Sequence, residues 1–339
     1  DDTQLNGLIY SRFGRQKRLG GDVEAEFEAD ENEWEFEGEF NNSKTRQNGS
    51  GLGLNLSKIL NNHQITTGFT FDQSSVSYHA TETEDCEVNA IRKVICDDDS
   101  ETEDSAKVSG KSKTYSLFAS DTAEIVDFIF ITGSLRYNHT KVSNTLSTPN
   151  EVTEELEAQP KESFKYTKLN PALGISAKFD NGLNLFANAS QGNRVPTVIE
   201  LGCADRNNPC LLPTGLQADP YLEQVISRTY EIGARGRIGL GFGIASIYST
   251  DNKDDIIFVS TDINSGVGFF TNFGKTRNQG LDLQVVQEFD RLRLTGTYSY
   301  LEATYEESGL LFGERSVLAR RGMRIPGIPE NVLRLGIDW

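Results

Sequence analysis

Apolar and polar residues alternate with a period of two along most of this chain. In the segment from Leu292, the residues Leu292, Leu294, Gly296, Tyr298 and Tyr300 fall on one side, while Arg293, Thr295, Thr297 and Ser299 fall on the other. From Leu183, the residues Leu183, Leu185, Ala187 and Ala189 oppose Asn184, Asn188 and Ser190. Successive side chains of a strand point to opposite faces, so this period predicts strands with one apolar and one polar face. Similar runs begin near Leu5, Gly51, Ile65, Thr114, Ile129, Leu169, Arg228, Phe242, Gly280 and Leu333. No long segment repeats apolar residues at helical spacing, and the chain reads as all-β with about twelve strands.

The connections fall into two classes that alternate along the chain. Short turns are expected at 60–62, 125–127, 180–182, 237–241 and 289–291; longer connections at 12–43, 80–110, 142–163, 191–226, 258–270 and 306–328. Within the first of these, Val23 to Phe27 and Trp34 to Phe40 alternate strictly between apolar and acidic residues, which predicts a protruding hairpin or strand extensions whose acidic face is solvated. An up-and-down meander puts all short turns at one end and all long loops at the other. Strands of about nine residues or more, with one apolar face, short turns and large loops, describe an antiparallel transmembrane β-barrel with periplasmic turns and extracellular loops. Closure is required because hydrocarbon leaves a sheet edge unsatisfied. Tyr137, Tyr248, Tyr300 and Trp339 near strand ends fit an interfacial aromatic girdle.

Composition supports this picture. Hydrophobic residues make up 37% of the 339, and adding the 31 glycines still leaves little for a thick soluble core. The net charge of −17 argues against nucleic acid as a partner, despite basic patches at Arg15 to Arg18 and Arg320-Arg321. Cys86 and Cys96 lie in one polar insert, Cys203 and Cys210 in another, and local disulfides in an oxidising compartment are expected for both pairs. Free thiols or a metal site are the alternatives, and the absence of CxxC spacing weighs against zinc. His63, His79 and His139 are isolated and lie in no catalytic motif, and no Gly-rich strand-to-helix fingerprint is present. No enzyme, metal or cofactor is expected.

The segment Ser190-Gln191-Gly192-Asn193-Arg194-Val195-Pro196-Thr197-Val198-Ile199-Glu200-Leu201 resembles the barrel domain of TonB-dependent outer-membrane receptors, with Val195 in place of the usual alanine. Asn170 to Gly174, Asp254 to Ile257, and Asn272-Phe273-Gly274-Lys275-Thr276-Arg277-Asn278-Gln279-Gly280 resemble other signatures of the same family, in its order. The family-motif positions are therefore Gly192, Arg194, Pro196, Thr197, Glu200, Leu201, Asn272, Gly274, Lys275, Thr276 and Gly280. The resemblance implies a barrel of about twenty-two strands around an N-terminal plug. Residues 1–339 then correspond to a partial barrel, roughly strands seven to eighteen, and the plug, TonB box and closing strands are expected outside them.

The same resemblance implies a receptor in the bacterial outer membrane, surrounded by lipid. It would bind a small-molecule or metal-chelate nutrient such as a ferric siderophore, haem, cobalamin or a glycan, and import it through the TonB complex. Arg194, Glu200, Asp205 and Arg206 are the loop candidates for ligand contact, against the alternative that they hold the loop base to the barrel rim. Arg235, Arg277 and Arg293 have lumen-facing parity or lie close to it. A passive porin-like or structural barrel is the second reading, and a membrane-embedded enzyme the third.

Overall fold

The computed structural model describes residues 3–28, 33–89, 91, 93–97, 100–150, 153, 155–202, 210–211, 222–260, 267–312 and 317–339. In chain order the elements are β1 (Thr3–Glu28), β2 (Glu33–Leu60), β3 (His63–Val88), β4 (Val94–Ile95), β5 (Thr102–Val126), β6 (Ile129–Pro149), β7 (Leu156–Ala158), β8 (Glu162–Lys178) and β9 (Asn184–Arg194). There follow α1 (Val198–Gly202), β10 (Cys210–Leu211), β11 (Val225–Ile238), β12 (Gly241–Ser260), β13 (Val267–Phe289), β14 (Leu292–Tyr305), β15 (Gly309–Phe312), β16 (Val317–Ala319) and β17 (Asn331–Asp338). Twelve of these strands have eight residues or more. Each of the twelve pairs antiparallel with the next, from β1–β2 through to β14–β17. The meander is open: among the described residues no pairing joins β1 to β17.

Short turns sit at the expected end. Asn61-Asn62 links Leu60 to His63 and Asp290-Arg291 links Phe289 to Leu292. Asn61 and Asp290 take the positive φ that two-residue hairpins of the primed type require, at 54° and 50°. The other end differs from the sequence expectation in where its connections begin. The stretch 12–43 is mostly ladder, with β1 and β2 paired from Thr3↔Lys58 to Glu28↔Glu33. The insert 80–110 is likewise reduced to residues 89–101, and pairing of β5 with β6 continues out to Lys107↔Ser147. The apolar period ends where the strand leaves hydrocarbon, but backbone hydrogen bonding does not depend on it and carries the strands further.

Register aligns the alternation into two continuous faces. One rung runs Ile129, Ala177, Leu185, Ala234, Ala245, Leu283, Tyr298, Leu333 across eight strands. Another runs Leu5, Leu56, Thr67, Ala119, Leu135, Pro171 across the other four strands, β1, β2, β3 and β5, and on into β6 and β8. Large apolar side chains of the same parity stand exposed: Leu117 is 59% exposed, Leu173 60% and Leu335 78%. A soluble monomer rarely exposes an apolar patch beyond about a few hundred Å², so an apolar face running the width of the sheet is a lipid-facing surface.

The opposite face is polar and crossed by side-chain contacts. Arg136 Nη2 donates to Thr70 Oγ1 at 3.0 Å, reaching over β5 from β6 to β3. Aromatic rings on this face lie over glycines directly across the ladder, as Phe118 does over Gly68, Phe186 over Gly233 and Tyr248 over Gly280. A Cβ at Gly233 would stand 2.5 Å from the Phe186 ring, so only glycine admits the ring there. Guanidinium groups lie over two of these rings, Arg136 over Phe118 at 5.7 Å and Arg235 over Phe186 at 5.9 Å. Tyr248 is therefore turned inward and does not join an outer girdle. Arg235 faces the lumen as expected. Arg277 does not: it shares the outward parity of Leu281 and Leu283 and pairs with Asp251 on β12.

Candidate functional site at the extracellular mouth

Beyond the apolar band the inward face of β3, β5 and β6 changes from polar to apolar. Tyr78, Ala80, Ala106, Val108, Val142 and Leu146 are buried there, covered by Val198 and Leu201 of α1 and by Leu222. Burial pushes the Tyr78 phenol up to about 12. The connection after β9 thus folds inward over the lumen side of the neighbouring strands. Leu201, 1% exposed, contributes on the order of 1.5–3 kcal/mol to this packing.

The family-motif residues build this fold. Thr197 is the N-cap of α1: its Oγ1 accepts the Glu200 N–H at 3.1 Å, while Glu200 Oε2 accepts the Thr197 N–H at 2.7 Å. This reciprocal pair is a capping box, worth about 0.5–2 kcal/mol. Arg194 Nη1 donates to both Glu200 oxygens at 2.9 Å, tying the end of β9 to the helix start. Pro196 is fully buried between them. Arg194 and Glu200 come together, and their charges meet each other. Gly192 has open space where a Cβ would stand, and nothing in the structure explains glycine there. Asp205, Arg206 and Cys203 lie outside the described residues, as do the side chain of Cys210 and therefore the Cys203–Cys210 pairing.

Amides fix both roots of the same loop: Asn272 is a family-motif position, Asn170 and Asn193 lie inside the segments that resemble the family, and sequence reasoning did not single out Asn138 or Gln224. Asn193 Oδ1 accepts from Asn138 Nδ2 at 2.9 Å and Asn170 Nδ2 at 2.7 Å, and Asn193 Nδ2 donates to Gln224 Oε1 at 3.0 Å. Tyr166 Oη donates to the Leu222 carbonyl at 2.9 Å. Asn272 holds the backbone of Glu223 from both sides, accepting its N–H at 2.8 Å and donating to its carbonyl at 3.2 Å. The inward parity of Asn138 and Asn170 on adjoining strands was the available signal.

The second motif stiffens the rim at β12–β14. Thr276, fully buried, donates to Asp255 Oδ2 at 2.5 Å. Lys275 and Arg277 both bind Asp251, at 2.9 and 2.6 Å. A Cβ at Gly274 would run into Glu307, and one at Gly280 would meet Tyr248. Where β3 turns back through β4, Cys86 and Cys96 form a disulfide across the connection that leads to β5. Below it, Glu82 lies within hydrogen-bonding reach of Glu39; burial first, then that bond and the charges of Glu39, Glu84 and Glu103, push its carboxyl up to about 8.

Each histidine is engaged across strands: His63 with Asp121 at 2.8 Å, His79 with Asp104 at 2.7 Å, and His139 with Thr167 at 3.1 Å. Among the described residues, no group of three or more His, Cys, Asp or Glu is placed to hold a metal ion.

The sequence profile of the family described as TonB dependent receptor-like, beta-barrel matches residues 1–339. Solved structures share the fold at low identity. The ferric yersiniabactin uptake receptor FyuA from Yersinia pestis is 13% identical with a TM-score of 0.61, the match covering 99% of this chain and 46% of that one. The ferric-catecholate import receptor Fiu from K12 E. coli is 13% identical with a TM-score of 0.66, over 91% and 46%. The copper transporter OprC is 12% identical with a TM-score of 0.60, over 99% and 49%. The chain spans about half the length of the solved structures it matches.

Proposed function

Because the chain belongs to the TonB-dependent receptor β-barrel family, we propose that it supplies part of the barrel of an outer-membrane receptor that imports a scarce metal chelate, of the ferric-siderophore class, by TonB-coupled transport. The family is one of transport receptors. The activities of the similar structures, ferric-chelate uptake and copper transport, support metal as the cargo. The observation that carries the reading is the inward-folded loop at the mouth. A passive pore gains from an open entrance, whereas here α1 is capped, bound by Arg194 and packed over the inward face. That arrangement suits a surface for holding a ligand above a plug, with import driven by a change in affinity between two states.

In this account Arg194 and Glu200 position the loop, and ligand contact falls to residues further along it, including Asp205 and Arg206. Uptake of a radiolabelled ferric chelate by cells carrying the full-length gene, with and without a protonophore, tests the proposal. Uptake that is lost on deletion, restored by the gene and abolished by the protonophore is expected. Entry that persists without an energised membrane would replace the receptor reading with the passive one.

A further inference from the structure

Near the outer end of the β2–β3 ladder the inward face turns acidic. Asn41 on β2 lies directly opposite Glu82 on β3, and Glu82 lies directly opposite Glu103 on β5. Glu39 is the next residue of β2 on the same face. Extra residues between Thr83 and Cys86 on β3, and at Ser105 on β5, interrupt the register on either side of this rung. Such bulges re-aim the side chains beside them. Glu82 stands nineteen residues beyond His63, where β3 leaves its short turn. At about 3.3 Å per residue and a tilt near 40°, that is roughly 50 Å, well outside an apolar band about 25 Å tall. Solutes of the external medium reach it.

The carboxyl groups here are held together without a counter-charge. Glu82 lies within hydrogen-bonding reach of Glu39 and feels the charges of Glu84 and Glu103 as well. Among the described residues no Lys or Arg lies within ion-pair distance of Glu39, Glu82 or Glu103. Acidic residues alone are ordinary solvated surface. Asn41 makes this group different. It is 8% exposed, its Nδ2 donates to Glu39, and its Oδ1 meets no donor among the described residues. A buried acceptor left unpaired is costly, and ionised carboxylates have no proton to give it. Half a turn of the carboxamide brings Oδ1 in place of Nδ2 to Glu39, since the two atoms are nearly equivalent in shape. Oxygens of Glu39, Asn41 and Glu82 then converge, and a cation satisfies all three.

The donor set selects the ion. Two carboxylates and an amide oxygen suit a hard cation, whereas zinc and copper take imidazole or thiolate. His79 is engaged by Asp104 and Cys86 is in the disulfide, so neither supplies a softer ligand. Calcium accepts irregular coordination completed by water, while magnesium demands a near-ideal octahedron. Three protein oxygens on a bulged ladder fit calcium.

We propose that Glu39, Asn41 and Glu82 form a calcium site on the extracellular extension of the barrel wall, with Glu103 adding negative charge from the neighbouring strand. The ion takes the place of the proton between Glu39 and Glu82, which leaves to solvent, and ties β2 to β3. Ala80, the next inward residue of β3, belongs to the apolar patch on which α1 packs, so the site braces the wall behind that loop. Its affinity falls in the weak range of extracellular calcium modules, with a Kd on the order of 0.1–1 mM. The inference rests on the extracellular placement of this end and on neither the nutrient nor its transport.

The test uses the full-length receptor in neutral detergent, stripped with a chelator and returned to calcium or to magnesium at constant pH. Deuterium exchange reads the segments 39–43 and 78–84, and equilibrium dialysis with radioactive calcium reads binding. Calcium at about ten times its Kd should slow exchange in these segments roughly tenfold, and magnesium at the same concentration should not. These arms need no substitution. The E39Q/E82Q variant, with amides of the same shape and no charge, should lose the response and a bound calcium, while N41D should keep both. Heat-modifiable gel mobility checks that each variant is folded. No slowing by calcium, an equal response to magnesium, or a calcium response retained in folded E39Q/E82Q would each overturn the proposal.

Discussion

Glu200 satisfies three groups at once: the Thr197 N–H, the Arg194 guanidinium and, through its own N–H, the Thr197 hydroxyl. The sequence showed these residues as a family signature and left open whether they touch ligand or support the loop. Their mutual pairing favours support, because a carboxylate used in this way has little capacity left for a ligand. The Asn193 node was not legible, since amides far apart in the chain meet only once register is known. A different residue gives a pH prediction. Glu82 has its carboxyl raised from the ordinary range to about 8, chiefly by burial, so the folded hairpin end holds a proton that the unfolded chain releases above about 4.5. The folded state binds more protons across that window, and its stability contribution falls as pH rises from about 4.5 to about 8. Deuterium exchange, corrected for intrinsic rates, should show protection at the 82–103 end falling through this window. In a Glu82→Gln variant the profile should be flat; protection that rises with pH in the unsubstituted protein would refute the assignment.

Among elements, the twelve long strands and the alternation of short turns with larger connections were legible, because a lipid-facing strand must repeat apolar residues at period two. Strand ends at the extracellular side were not. Residues such as Ser109, Lys111 and Ser143 carry no apolar period, yet remain in register because the ladder is held by backbone bonds. Tyr248 was misplaced for a related reason: its position near a strand end suggested a girdle, whereas its parity sends it inward onto Gly280. The ring-over-glycine contacts give a prediction at this scale. Gly233→Ala should lower the unfolding free energy of the full-length receptor by about 1–3 kcal/mol, since the added methyl meets both the Phe186 ring and the Ala245 carbonyl. Gly133→Ala, where a Cβ meets nothing within 4 Å, should change stability by no more than about 0.5 kcal/mol. Guanidinium unfolding followed by tryptophan fluorescence compares the two; equal effects would mean that the rings do not need the glycines.

For the whole molecule, the sequence and the structure agree on a sheet with one lipid-facing and one lumen-facing surface, and family membership follows from the match over residues 1–339. The cargo was not legible, because the loop chemistry named for it falls on Asp205 and Arg206, outside the described residues. Nor was the alignment of three lysines on neighbouring strands. Lys113, Lys141 and Lys165 are scattered singly through the sequence and become a cluster only through pairing across three strands. The receptor reading depends on which face of the sheet meets lipid. Nitroxide scanning of 114–121 and 184–190 in the full-length receptor, reconstituted in bilayers, measures this through collision with oxygen and with a water-soluble nickel chelate. Leu117, Ala119, Leu185 and Ala187 should favour oxygen, and Ser116, Phe118, Phe186 and Asn188 should not, giving a strict period of two. Oxygen preference at Phe118 and Asn188, or the absence of any alternation, would contradict the account.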